Sequence, residues 1–254
     1  LALKYIKTTK KVAVHFHDIN KADDLNVIRD IYACGRTNGV FQFESDGIKK
    51  ALTGFNPTSI DDVILMNAAY RPGPMDSIPE ITEVKNGTEK PNYIIPQMEQ
   101  ILGKTYGSAI YQEQIMQLFQ LVGFSLGEAD VIRRAMSKKH LDEIEAAKDK
   151  FVSGMIEQGG KPADVEKFWI RLLAFASYAF NKSHAAAYSI VSYYTAFLKY
   201  YFPCEYLSAQ LSYTPEKLKL FLSDLKYAGL TLLQPDINLS LIHISEPTRL
   251  RCIS

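Results

Sequence analysis

Cysteine is scarce in this 254-residue chain: Cys34, Cys204 and Cys252 lie far apart and form no CxxC pair. That spacing argues against a cysteine zinc site and against a disulfide framework, and it fits a reducing, cytoplasmic setting. Net charge is nearly absent too, with 29 Lys and Arg against 28 Asp and Glu. A polyanionic partner is therefore not drawn in by bulk charge and needs local segregation of cations. Histidine is limited to five residues. His15 and His17 stand two apart, as ligands on a strand can, but no third ligand follows at metal-site spacing and they read as turn residues. The opening Leu-Ala-Leu-Lys-Tyr-Ile-Lys has no leader pattern and reads as that of a fragment. No internal repeat or low-complexity linker is present. Charge is thin from Ala185 to Phe202, a run about as long as a bilayer span, but Lys199 and the interspersed serines and tyrosines favour a buried helix without membrane insertion.

What the chain does have is 47% hydrophobic residues, spaced mostly at helical intervals and sufficient for a core. The predicted class is mainly α, with strand-like alternation confined to short pieces such as Val40 to Phe43. Asp23 and Asp24 cap a helix ending near Cys34, and Ser45 caps one carrying Ile48 and Leu52. Asn56 to Ser59 separates that helix from the next, Ile60 to about Tyr70. Arg71-Pro72-Gly73-Pro74 is a rigid, non-helical connector. Pro79 to Pro96 reads as a Pro/Gly-rich surface excursion around an Asn86-Gly87 turn. Helices resume at Gln97 to Leu102 and from Tyr111 to about Val122. Gly159-Gly160 ends a charged helix beginning near Lys139, and Pro162 opens one whose Phe168, Trp169 and Leu172 supply core. Beyond Pro203 the chain makes one or two more helices up to Gly229 and then extends to Asn238.

Two places gather positive charge. Ser125 and Glu128 form a capping box for a helix on which Leu126, Ala129, Ile132 and Met136 share one side, while Asp130, Arg133, Arg134, Ser137 and Lys138 fall on the other. The basic residues outnumber the single carboxylate, which leans toward an anionic partner. The second place is Tyr178 to His184, where Asn181 or Ser183 caps a helix running to about Phe202. Lys182 and His184 flank its positive end, where free backbone N–H groups suit a phosphate.

Five stretches together resemble one family, the alpha (catalytic) subunits of bacterial DNA polymerase III, the C-family replicative polymerases. They are Thr37 to Ser45 (TNGVFQFES), Arg71 to Pro74 (RPGP), Tyr111 to Met116 (YQEQIM), Gly123 to Lys139 (GFSLGEADVIRRAMSKK) and Phe175 to Tyr188 (FASYAFNKSHAAAY). The resemblance implies a multi-helix fingers domain over residues 31–240, a palm remnant over 1–30, and a tail over 241–254 that is foreign to the family and disordered. It implies that Arg133 and Arg134 meet the triphosphate of an incoming deoxynucleoside triphosphate, that Tyr178 and His184 lie beside its sugar and base, and that Lys182 adds charge. Arg71, Lys138, Asn181 and Ser183 are candidate supporting contacts.

The resemblance also implies partners: primer-template DNA, the sliding clamp and other replisome subunits, with no membrane. Two-metal phosphoryl transfer needs Mg2+ held by a carboxylate cluster. In the family two of these carboxylates form an Asp-x-Asp pair, which does not occur here, so the Mg2+ ligands are expected outside this chain and the chain alone is expected not to polymerise. Another reading of the same residues is a non-catalytic helical nucleic-acid-binding module. A third is a scaffold whose basic helix is only a solvated face.

Overall fold

The computed structural model describes residues 1–19, 22–138, 140–176, 178–232 and 250–251. Among them are thirteen α-helices in the order α1 (Ala2–Thr9), α2 (Leu25–Val27), α3 (Asp46–Phe55), α4 (Ile60–Ala69), α5 (Ile78–Lys85), α6 (Met98–Leu102), α7 (Gln112–Leu121), α8 (Leu126–Lys138), α9 (Leu141–Glu157), α10 (Pro162–Ala176), α11 (Lys182–Tyr201), α12 (Pro203–Tyr213) and α13 (Leu218–Tyr227). Two short antiparallel strands, β1 (Thr231–Leu232) and β2 (Leu250–Arg251), complete the described elements. The mainly α class holds.

The helix ends follow local chemistry. Asp24 caps α2 by accepting from the Asn26 N–H, and a π-helical segment, Ile28–Ala33, continues it to Cys34. Ser45 accepts from Ile48 N at the start of α3, and Asn56, at φ 53°, ends it in the left-handed region. Asn tolerates that conformation because its short polar side chain bonds locally.

Several expectations give way to the structure. Val40 to Phe43 is no strand: Val40 and Phe43 are buried, but Gln42 at φ 68° turns the backbone and breaks the pleat. The stretch from Pro79 is not irregular throughout, because α5 runs through it. Pro79 sits in the first helical turn, where a missing N–H costs no hydrogen bond. Leu126 does not join the buried side of α8 and is 61% exposed. Leu250 and Arg251, within the tail expected to lack structure, pair with Leu232 and Thr231. The rest of that tail, and most of the extension toward Asn238, lie outside the described residues.

The division expected from the family resemblance, 1–30, 31–240 and 241–254, is not the division by compactness. By compactness one unit comprises residues 1–60 with 188–254, and the other residues 61–187. In the first, Ile6 of α1 packs with Leu198 and Tyr206. The Tyr32 and Ser192 hydroxyls meet at 2.8 Å, and the Tyr32 ring stands edge-on to Phe43. The buried Lys199 ammonium donates to Arg36 O at 2.7 Å, Asn38 O at 2.8 Å and Asp224 Oδ1 at 2.8 Å. Asn38 Nδ2 donates to the other Asp224 oxygen at 2.9 Å, so the Thr37-Asn38-Gly39 turn is built onto α11 and α13. Lys199 thus serves the interior; among the described residues no helix is long and apolar enough to cross a membrane.

The second unit has its core between α6 and α10. Phe119, Phe151 and Trp169 pack ring on ring at its centre, with Met98, Leu102, Ile115, Leu118 and Leu172 around them. Trp169 is 3% exposed and acts as packing. Arg171 Nη2 bridges both carboxylate oxygens of Glu80, at 2.7 and 2.8 Å. Asp62, Lys85 and Tyr106 form a partly buried polar knot that ties α5 to α4. All nine candidate site residues belong to this unit.

Candidate functional site

Helices α7 and α8 are joined by the short link Val122 to Ser125 and pack against each other. The capping box at the start of α8 forms as expected: Glu128 Oε2 accepts from Ser125 N at 2.7 Å and Ser125 Oγ accepts from Glu128 N at 3.3 Å. The backbone bond from Ser125 pulls the Glu128 carboxyl down to about 2. Ala129, Ile132, Ala135 and Met136 are buried, and their spacing orients the rest of the helix.

Arg133 and Arg134 share one partner. Asp130 accepts from Arg133 Nη2 at 2.7 Å and lies 2.8 Å from Arg134 Nη2. These hydrogen bonds, Arg133's the stronger cause, hold the Asp130 carboxyl below the usual range. Arg134 is the more open of the two, its side chain 57% exposed against 19%. Lys138 is exposed at the end of the helix.

The segment leading into α11 is strapped to the start of α7. Phe180 N donates to Ile110 O at 3.0 Å, Gln112 N donates to Phe180 O at 3.0 Å, and Gln112 Nε2 reaches Ala179 O at 3.2 Å. Asn181, not Ser183, is the cap: its Oδ1 accepts from His184 N at 2.9 Å. Ser183 is exposed beside it.

The N–H groups of Lys182 and His184 at the start of α11 are already taken. Glu113, in the first turn of α7, accepts from Lys182 N at 3.2 and 3.1 Å through its two oxygens and from Asn181 Nδ2 at 2.9 Å. A carboxylate of the chain itself therefore stands where a phosphate was expected, for the same reason: an anion is favoured at a helix N-terminus. The Lys182 ammonium lies 5.5 Å from the centroid of the Tyr111 ring. The His184 ring meets the edge of Phe180, centroids 5.1 Å apart.

Sequence reasoning passed over Glu113 although YQEQIM was one of the family stretches. Its signal was an acidic residue in the first turn of a helix, between two glutamines. The second glutamine, Gln114, is buried: its Oε1 accepts from Ile110 N and Tyr111 N, and its Nε2 donates to Ile101 O and Thr105 Oγ1. That set of bonds holds rigid the loop to which residues 179–182 are strapped.

Arg71 is bound within the protein, beside Tyr178 and Phe180. Its Nε donates to Ala68 O at 2.9 Å, its Nη2 donates to Tyr178 O at 3.2 Å, and its guanidinium lies 3.9 Å from the Phe180 ring centroid. Partial burial holds its pKa below the ordinary arginine value. Tyr178 is half-exposed and walls a cleft of about 470 Å3 whose lining includes Pro74, Ile110, Phe175, Glu80 and Arg171. Among the described residues no three His, Cys, Asp or Glu side chains come together as a metal site.

Structure thus draws Tyr178, Asn181, Lys182, Ser183, His184 and Arg71 into one cluster. Arg133, Arg134 and Lys138 form a second group on α8, and α7 contacts both α8 and the residues of the first group. With about 1.5 Å rise per residue, the 10 residues of α7 span about 15 Å and the 13 of α8 about 20 Å. Arg133 and Arg134 lie just past the middle of α8, and α7, against which α8 packs, holds Asn181 and Lys182 through Glu113.

A family model described as the bacterial DNA polymerase III alpha subunit finger domain matches residues 1–159. The chain belongs to that family. The match begins at residue 1 and so takes in the segment set apart above as a palm remnant. The chain is 43% identical over 220 residues to a DNA polymerase III subunit alpha of Halalkalibacterium halodurans, covering 85% of this chain and 20% of that protein. It is 40% identical over 248 residues to one of Thermus aquaticus, covering 94% and 20%, and 39% identical over 245 residues to one of Aquifex aeolicus, covering 94% and 21%. The chain spans about a fifth of the length of the curated relatives it matches.

Proposed function

We propose that this chain is the finger region of a replicative DNA-directed DNA polymerase, acting in nucleotidyl transfer by holding the incoming deoxynucleoside triphosphate against primer-template DNA. Arg133 and Arg134 take the triphosphate, with Lys138 as an outer cation. Lys182 adds charge at the start of α11, while Tyr178 and His184 lie beside sugar and base. The observation that carries this reading is the position of α7: it packs against the arginine-bearing helix and bonds directly to Asn181 and Lys182, so both cationic places are organised about one short helix.

Asp130 pre-orients both arginines, and Arg134, the more exposed, has more guanidinium donors than a shared carboxylate accepts. Positioning and charge stabilisation, rather than covalent chemistry, are what phosphoryl transfer asks of such residues. Mg2+ supplies the activation of the attacking oxygen when bound to carboxylates of the parent polymerase. The parent also engages the sliding clamp and other replisome subunits in the cytoplasm, and this chain by itself polymerises nothing.

Titration of the purified chain with a deoxynucleoside triphosphate tests the reading. Arg134→Ala weakens binding about tenfold, the loss of one charge-assisted contact at a half-exposed site. DNA binding that falls with salt but never responds to nucleotide favours instead the non-catalytic nucleic-acid-binding module.

A further inference from the structure

Arg71 lies among the candidate site residues, yet its guanidinium is already committed within the protein. It donates to the carbonyls of Ala68 and Tyr178 and lies over the Phe180 ring. Phe180 in turn holds the His184 ring edge-on, with an interplanar angle of 89°. One arginine therefore reaches both residues assigned to sugar and base: Tyr178 through its backbone, His184 through an intervening ring.

Two residues on, Gly73 supplies the other half of the mould. It adopts φ +102°, in the region where side chains strain the backbone, and a Cβ there would lie 2.5 Å from Tyr178 Cγ. The Tyr178 ring lies directly over this glycine. Pro72 and Pro74 on either side restrict the backbone, so the ring rests on a stiff floor.

We propose that Arg71 and Gly73 are positioning residues: they set the Tyr178 ring and, through Phe180, the His184 ring for the sugar and base of the nucleotide, and touch no phosphate themselves. This rests on the nucleotide-binding reading above. A lysine cannot substitute for Arg71, because a point-charge ammonium has no planar face to lay on Phe180 and no fork to span two carbonyls. The role is distinct from that of Arg133 and Arg134, which act on charge.

The test compares two ligands on the full chain: a complete deoxynucleoside triphosphate, and inorganic tripolyphosphate, which has neither sugar nor base. Arg71→Ala is expected to weaken the nucleotide about tenfold and leave tripolyphosphate within about twofold, a difference of about 1 kcal/mol. Arg71→Lys is expected not to restore it, and Gly73→Ala to reproduce it by displacing the ring. The His184 ring resonances, read by NMR without any ligand, shift in Arg71→Ala because the Phe180 ring is released.

Equal loss of both ligands in all three variants would show a merely structural role and overturn the proposal. So would unchanged nucleotide affinity, or unmoved His184 resonances in folded Arg71→Ala. Should wild type bind neither ligand, the function proposed above fails by itself, and the resonances still decide whether Arg71 positions His184. If Arg71→Ala does not fold, Arg71→Lys and Gly73→Ala carry the comparison.

Discussion

The Lys199–Asp224 pair is a buried ion pair outside the candidate site. The side chains are 5% and 6% exposed. Burial, the largest effect on Lys199, lowers its pKa despite the attraction of Asp224. Removing the ammonium in Lys199→Met strips the donor from Arg36 O and Asn38 O and leaves Asp224 with the Asn38 amide. Breaking one partner of a buried pair costs about 3 to 5 kcal/mol, because the survivor becomes an uncompensated charge.

Asp224→Leu is expected to cost a similar amount, leaving the ammonium with two carbonyls and no counter-charge. In the double variant neither charge survives, and the remaining cost is that of two carbonyls without a donor, about 1 to 3 kcal/mol each. The two single losses therefore sum to about 6 to 10 kcal/mol, and the double variant should fall short of that sum. Urea unfolding followed by circular dichroism, with the denaturant slope checked for constancy, measures each value. Amide exchange in the Arg36 to Val40 turn and in α13 localises the effect. Single-variant losses below about 1 kcal/mol, or a double variant equal to the sum of the singles, would refute the reasoning.

Two further outcomes are expected. Glu113→Gln keeps the hydrogen-bonding shape but removes the anion at the start of α11, costing about 0.3 to 1 kcal/mol of stability. It should also strengthen tripolyphosphate binding a few-fold by removing a like charge; weaker binding would instead make Glu113 an organiser of the site. Burial pushes the Tyr193 and Tyr206 phenols up to about 12, so between pH 10 and that value the folded chain keeps protons that the unfolded chain releases. Stability then falls as pH rises through this window, and phenolate absorbance should show those two tyrosines ionising late; ionisation of all fifteen near pH 10 in the folded chain would contradict it.

Much of the fold was legible because helix boundaries are local. The Ser125 to Glu128 capping box, the Asn56 stop, the Gly159-Gly160 break and the Pro162 start are each written within a few residues, and each forms. The misreadings also have local causes. Val40 to Phe43 alternates like a strand, but a left-handed Gln42 turns it, and Pro79 looked like a breaker only until its place in a first turn was known. At the candidate site, charge and its helix-local partner Asp130 could be located in sequence, but distant partners could not. Nothing between Arg71 and Tyr178 in the linear order announces that one donates to the other's carbonyl.

By itself the sequence determined the helical class, most caps, the family stretches and the two places where cations gather, because hydrophobic period, capping chemistry and charge segregation act over a turn or two of helix. Only tertiary structure decided that Glu113 fills the start of α11, that Arg71 supports Tyr178 and Phe180, and that Lys199 joins α11 to α13. Most of those contacts link residues dozens to more than a hundred positions apart, where the partner of a charge is set by which elements pack together and not by the residues beside it.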